Sequence, residues 1–562
     1  MKPRIAGYPS GAKSGREEGA TLVVVMFVVV FLALGLGTYL SSLSGIRRMQ
    51  EQRIADDRAL QSAEAGLARA ISQLTAMGSP PSVDTTWTYN LPSADFAPFQ
   101  NVSVTVYPRI VSNQQRWTLA STATLAAGAS RYKAISRRVQ ATLVQQNFAR
   151  YEYFVNDFGG VWIPGYFQFE GFGAAYLGPY HCNSGVAFWP NLWMLKETTV
   201  AASGGVNYFA DFGSYMSVYG NTAANNAVNI LNYFDSTFNK SPQFYGGLTV
   251  LPQPISLPAD MNVDVRAEQL RTNAGLKLPA AYTGYDATKG PNFAIELISP
   301  TSNPADAKVE VKQIIGTAGD GSATYGPTRS YFVSSFNNAM IVYGNIRSLK
   351  GVLNGKLTIA AMQTAELPDA GNIDITGSLE YASRKADASF TYTNDSQLYT
   401  PDGSGIQQSY VDTILGQLNH ITDSLGLVAE RDVMIKERDL AGVPVAADAA
   451  HPLYIDAIVM ATGASTGNTK DGGFGVENML TRPVGTAYFL GGSIQNYGYS
   501  WALYSGSTCT NGLKCNRLWD ERAYKPGGAP PFFPSTGSMQ FLGQSWRSSY
   551  VSNASQMPWL PN

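Results

Sequence analysis

From Ala20 to Leu40 the chain carries no charged residue, and this run constrains the fold more than any other feature. As a helix rising about 1.5 Å per residue, it reaches across the ~30 Å hydrocarbon core of a bilayer. Lys2, Arg4, Lys13 and Arg16 stand before it. By the positive-inside tendency they hold the N-terminus in the cytoplasm and send everything after about residue 45 outward. A secretory signal destined for removal has a shorter apolar run followed by a small-residue cleavage site. Here the helical pattern continues instead, with Leu43, Ile46, Met49, Leu60, Ala63, Leu67, Ile71 and Leu74 mostly three or four residues apart and Arg and Asp on the other side. Gly78, Pro80 and Pro81 end it. The sequence predicts one helix over residues 21–76, apolar all round in its first half and amphipathic in its second.

The leader closes on Gly19, the apolar run opens on Ala20, and an arginine-rich turn, "RRMQEQR", leads into a helix containing Gln61, Ala63, Glu64, Ala65 and Leu67. In this order of parts the chain resembles type IV pilin precursors with a class III prepilin leader. The "QxAEAxL" helix narrows the likeness to PilX-type minor pilins. The resemblance implies that a prepilin peptidase cuts after Gly19 and leaves Ala20 as the methylated N-terminus. It also implies residence in the inner membrane before assembly, then on the cell surface, with other pilins and the assembly machinery as partners. Val24 falls at the fifth mature position, where shaft pilins carry a glutamate that pairs with a neighbouring subunit's amine. An unpaired carboxylate in a bilayer costs about 3 kcal/mol, so Val24 eases membrane residence and removes the pairing group. A minor position at or near the filament tip is implied rather than one in the shaft.

Residues 1–19 thus read as leader and 20–77 as membrane and spine helix. Within residues 78–148, "NVSVTVYP", "RWTLASTAT" and "AISRRVQATLV" alternate apolar and polar residues and predict a small antiparallel sheet on the helix, an α+β head. Residues 149–562 predict a large, mainly β extracytoplasmic domain. Its short strands, among them "AMIVYGNIRSLKGVLNGKLTIAA", "GNIDITGSLEY", "LGLVAERDVMIK", "LYIDAIVMATG" and "AYFLGGSIQNYG", meet at Gly, Asn or Asp corners. Rungs of similar length favour a parallel β-solenoid, with a β-sandwich as the alternative. "QQSYVDTILGQLNHITDSLG" is the one amphipathic helix expected there, and its leucines read as a core face. "LGPYHCNSG", carrying Gly178, Pro179, His181 and Asn183, resembles a turn of large exported proteins that join a PilX-like N-terminus to a β-solenoid, and "SLGLVAERDV" and "WDERAYKPGGAPPFFP" resemble later landmarks of the same proteins.

Little in the chain points to chemistry. His181, His420 and His451 are far apart and lack ligand spacing, so neither a metal site nor a cofactor is expected. His181 reads as a buried residue fixing its turn. The strand-borne acids Asp374, Glu380, Asp432 and Asp456 read as solvated, and "TPDGSG" with Asp402 offers too few oxygens for calcium. The aromatic segment "YEYFVNDFGGVWIPGYFQFEGFGAAY" reads first as core, with sugar stacking as the other possibility. Basic and acidic residues, 40 against 41, are scattered, which excludes the polyelectrolyte surface nucleic acid requires. Cys509 and Cys515 in "CTNGLKC" form a candidate disulfide outside the cytoplasm, with Cys182 left as a buried thiol.

Two functions fit these readings. In the first, a non-enzymatic minor pilin displays a large β domain for assembly, adhesion or cell contact, with a surface or another cell as ligand. In the alternative, the same β domain is an envelope scaffold or polysaccharide-acting enzyme that stays anchored in the membrane.

Overall fold

A computed structural model describes residues 17–77, 80–91, 99, 101–111, 114–125, 135–157, 166–168, 175–188, 193–201, 206–211, 214–219, 243–251, 253–319, 321–393, 395–398, 406–446, 450–463, 471–505, 508–525, 527–541 and 547–550. One unbroken helix runs from Glu17 to Ala76, close to the span its periodicity predicts. Its lower half buries Ala55, Ala59, Ala63, Leu67, Ala70 and Leu74, three or four residues apart. The small side chains bring the helix close to the sheet beneath it. At Gly66 a β-carbon would stand 2.4 Å from a methyl of Val102.

That sheet runs antiparallel in chain order through Thr85–Asn90, Asn101–Val111, Gln114–Leu125 and Ile135–Asn147. Val102, Val104 and Val106 alternate inward against the helix, as the period-2 pattern requires. Three of these strands were legible in sequence. The sheet does not close within residues 78–148, because Ser535–Phe541 and Arg547–Tyr550 also pair with Ile135–Asn147. Residues 149–562 therefore contribute to the head as well as forming the β region.

In the β region, a ten-stranded sheet is parallel throughout. Its spatial order is Leu276–Leu278, Ala339–Tyr343, Lys356–Met362, Ser424–Ala429, Ile458–Ala461, Ser493–Tyr497, Tyr153–Asp157, Tyr180–Cys182, Thr198–Ala201 and Leu248–Leu251. A second, twelve-stranded sheet has a parallel centre of Asn292–Ile298, Asn345–Leu353, Ile373–Tyr381, Leu453–Asp456, Gly485–Gly491 and Thr508–Trp519, with antiparallel strands at its margins. From Ala339 onward the chain steps from one sheet to the other and back. Met340, Leu357, Leu427 and Val459 of the first sheet share a core with Leu349, Ile375, Ile455 and Phe489 of the second.

Parallel strands covered on both faces read as continuous apolar runs, and "AMIVY", "SLGLVA" and "IVMA" do so for that reason. The outer face of the ten-stranded sheet, with Ile341, Ala360, Val428 and Met460, lies under Leu257, Met261, Leu270, Phe532 and Phe533. Residues 253–274 thus carry the chain back across that face, from Leu251 at one end of the sheet to Leu276 at the other. The helix predicted from Gln407 is shorter than expected. It spans Gln408–Gly416, with a 3-10 turn to His420, and Ser424 already begins a strand. Its Val411 and Ile414 face the core, as its spacing predicts.

Candidate functional site

Two features of the chain bear on function: the upper half of the helix, and the interior of the β region where its strands meet. From Leu22 to Leu40 the larger apolar side chains are 49–70% exposed, and Val24 is among them. This is the one span among the described residues long and apolar enough to cross a membrane, and none of its most apolar stretch is buried. A cylinder apolar on all sides requires lipid or other apolar helices around it. Gly19 and Ala20 lie in helical backbone at its start, and residues 1–16 lie outside the described residues. Just below the apolar stretch, exposed Arg47 pairs with Glu51 at 3.1 Å.

The segment around His181 is internal. Gly178 is pressed on the Trp519 indole, where a β-carbon would stand 2.4 Å from the ring, and its N–H donates to Glu152 Oε2 at 2.6 Å. His181 is buried beside the Phe154 ring, 4.7 Å between centroids, and its ring nitrogens meet Thr199 Oγ1 and Asn183 Oδ1, each at 2.7 Å. Asn183 donates to Asn156 Oδ1 at 3.0 Å, Asn156 donates to Asn496 Oδ1 at 2.9 Å, and Asn496 donates to the Asp471 carbonyl at 2.8 Å. His181 lies not in a turn but in the middle of the strand Tyr180–Cys182, in parallel register between Phe154 and Thr199, with Gly178 and Asn183 flanking that strand. His420 and His451 are exposed elsewhere, and among the described residues no three His, Cys, Asp or Glu side chains converge as a metal site.

Burial shifts two groups here in opposite senses. It lowers His181 to about 4, and it raises Glu152 to about 7 against the pull of the Gly178 N–H. Between about pH 4.5 and 6.5, folding moves a proton from histidine to glutamate without changing the number bound, so the pair gives no pH dependence. Glu152→Gln breaks that balance. The remaining histidine contributes stability that is full above 6.5 and lost as pH falls toward 4, about 3 kcal/mol in all. Urea unfolding at pH 7 and pH 4.5, compared between wild type and variant, checks this. A variant profile parallel to wild type would refute it.

The acids are not solvated, contrary to expectation. Parallel register sets Arg347 beside Asp374, which is buried and pairs with it at 3.4 Å. Asp432 accepts the Gly472 and Gly473 N–H groups, each at 2.9 Å. Glu380 and Asp456 do converge, but on Arg384, at 2.7 and 2.6 Å. Asp456 is fully buried, and Arg384 is also stacked 4.9 Å from the Tyr454 ring centre. Two carboxylates held by one guanidinium form a structural tie.

The expected Cys509–Cys515 disulfide is not formed. Both residues lie on the strand Thr508–Trp519, where six residues at about 3.3 Å each reach up to roughly 20 Å, less the bend at Gly512, whose φ is 86°. A disulfide needs α-carbons within about 7 Å. The Cys182 thiol is buried as expected and is pushed up to about 12 by desolvation. Asp402 and most of the aromatic segment between Asp157 and Ala175 lie outside the described residues.

No family model matches the chain. No curated protein matches it. Among solved structures it is similar to the competence-associated pilin ComZ from Thermus thermophilus, at 16% identity over 88% of this chain and 97% of that chain, with a TM-score of 0.27. A likeness at so low a score carries no weight for what this chain does.

Sequence reasoning missed Glu152, Arg384 and the asparagine corners. The corners had a signal: Asn292, Asn345, Asn372 and Asp432 each directly precede Phe, Ile or Val at the start of a strand.

Proposed function

We propose that the chain is a pilin-like filament subunit. Its upper helix is held in the inner membrane and then transferred among the helices of other pilins, while its β region is displayed outside the cell. The observation that carries this reading is the division of one continuous helix. One face of its lower half is buried on an antiparallel sheet, and its upper half is bare on every side. A plain anchor needs the bare half but has no need of the rigid continuation into a folded head.

The leader resemblance adds cleavage after Gly19 by a prepilin peptidase, and Val24 adds a minor position at or near the tip. The β region is read as a parallel β-solenoid. Support comes from a parallel ten-stranded sheet and the parallel centre of a twelve-stranded one, which the chain visits alternately from Ala339 onward, and from asparagine ladders at the corners. In one ladder Asn345 donates to Asn292 at 3.1 Å and Asn372 donates to Asn345 at 3.0 Å. Such ladders suit strands stacked in parallel register. The role is display, for assembly, adhesion or cell contact, and not catalysis.

Intact-mass and N-terminal sequencing of the protein from membranes and from sheared surface filaments, with and without the prepilin peptidase, tests the reading. A chain beginning at Ala20 in the filaments, lost without the peptidase, is expected. A chain beginning at Met1 that stays in the membrane would replace the filament subunit with an anchored envelope protein.

A further inference from the structure

The strands Ile373–Tyr381 and Ser424–Ala429 are separated by residues 382–423, whereas the strands Asn345–Leu353 and Lys356–Met362 are joined by only two residues. The helix Gln408–Gly416 in this segment forms one wall of a groove of about 640 Å³. That volume falls within the range of small-ligand sites. Leu195, Lys196, Tyr245, Glu521 and Lys525, from other parts of the chain, also line it.

Tyr245 is 61% exposed, yet its backbone is fixed. Its N–H donates to the Met194 carbonyl at 2.9 Å, and the next residue, Gly246, is so close to the Lys196 backbone that a β-carbon would stand 2.1 Å from the carbonyl carbon. A large aromatic ring is thus presented to solvent on a rigid turn at the mouth of the groove. Other lining residues supply short-range polar groups rather than net charge. Gln408 is tied to Asp412 at 2.7 Å, Lys525 to Glu521 at 3.2 Å, and exposed Asn419 lies beside them. Lys196 and Lys525 balance Asp412 and Glu521, so the groove has no field to hold a polyanion or polycation.

We infer that this groove binds a short stretch of uncharged polysaccharide. The apolar face of a sugar ring stacks on Tyr245, and its hydroxyls exchange hydrogen bonds with Asn419, Gln408 and Asp412. A ring face, paired amide and carboxylate groups and zero net charge match a ligand that is apolar on its C–H faces and polar at its edges.

The test titrates cellohexaose and chitohexaose into the full-length protein by calorimetry, in an amine-oxide detergent that carries no sugar head group. Saturable binding of at least one hexaose is expected. Tyr245→Ala should weaken it about tenfold, while Tyr245→Phe, which keeps the ring, should stay within about twofold. Tyr325→Ala, on the strand Ala323–Tyr325, should bind as wild type. Circular dichroism melting of each variant shows that the fold is kept. Failure of both sugars to bind, undiminished binding by Tyr245→Ala, or binding of hexalysine or hexaglutamate in their place would overturn the inference. Filament assembly plays no part in this measurement, so its outcome is independent of whether the chain enters a filament.

Discussion

Asp456→Ala is expected to cost about 3–5 kcal/mol, because it removes one partner of a buried charge pair and strands the other. Asp456 accepts three hydrogen bonds at once, from the Tyr381 N–H at 2.8 Å, Arg384 Nε at 2.6 Å and the Tyr392 hydroxyl at 2.7 Å. Burial pushes its carboxyl up and the Arg384 guanidinium opposes that rise. With the carboxylate gone, Arg384 keeps only Glu380 and the faces of Tyr454 and Tyr392. Desolvation of that charge then goes largely uncompensated.

The double variant Asp456→Ala with Arg384→Met should recover most of the loss, since it removes the stranded charge and keeps an aliphatic stem on Tyr454. Urea unfolding of wild type, both single variants and the double variant closes the cycle. A double variant as unstable as the sum of the singles would mean that the tie contributes through packing alone.

The same tie illustrates what could be read from the sequence and what could not. The spine helix was legible because its information is local: spacing of three and four, then Gly78, Pro80 and Pro81. The individual strands were legible for the same reason, from alternation in the head and from short segments broken at Gly, Asn and Asp in the β region. Asp456 and Glu380 could not be assigned, because Arg384, which binds both, follows Glu380 by four residues but reaches Asp456 only across the sheet. The disulfide failed for the opposite reason. Closeness in sequence reads as closeness in space only where the chain turns, and Cys509 and Cys515 lie along one extended strand. Strand order was the least legible feature. Nothing local tells Tyr153–Asp157 that its neighbour is Ser493–Tyr497, and the closure of the head by Ser535–Phe541 is equally remote.

That remote order has a consequence of its own. The chain enters the ten-stranded sheet at Tyr153–Asp157, in its interior, and builds outward to Leu248–Leu251. It then crosses back along the outer face and builds from the far end until Ser493–Tyr497 lies against the strand where it began. The strands within 153–251 therefore reach the rest of the sheet through one seam. Phe154 sits in it, fully buried, with Phe148 and Tyr151 edge-on at 5.2 and 5.3 Å, His181 at 4.7 Å and Ile494 as its register partner.

Phe154→Ala is expected to cost about 3–5 kcal/mol, the loss of a buried ring and the cavity it leaves. The loss should be uneven. Strands within 276–497 stack on one another without the seam, whereas those within 153–201 depend on it. Hydrogen exchange followed by mass spectrometry should therefore show faster exchange in peptides covering 153–157, 180–182 and 198–201, with those covering 339–362 and 424–461 near wild-type protection. Uniform loss across both sets would mean that the two halves unfold as one unit, and that the seam is no weaker than the strand pairs on either side of it.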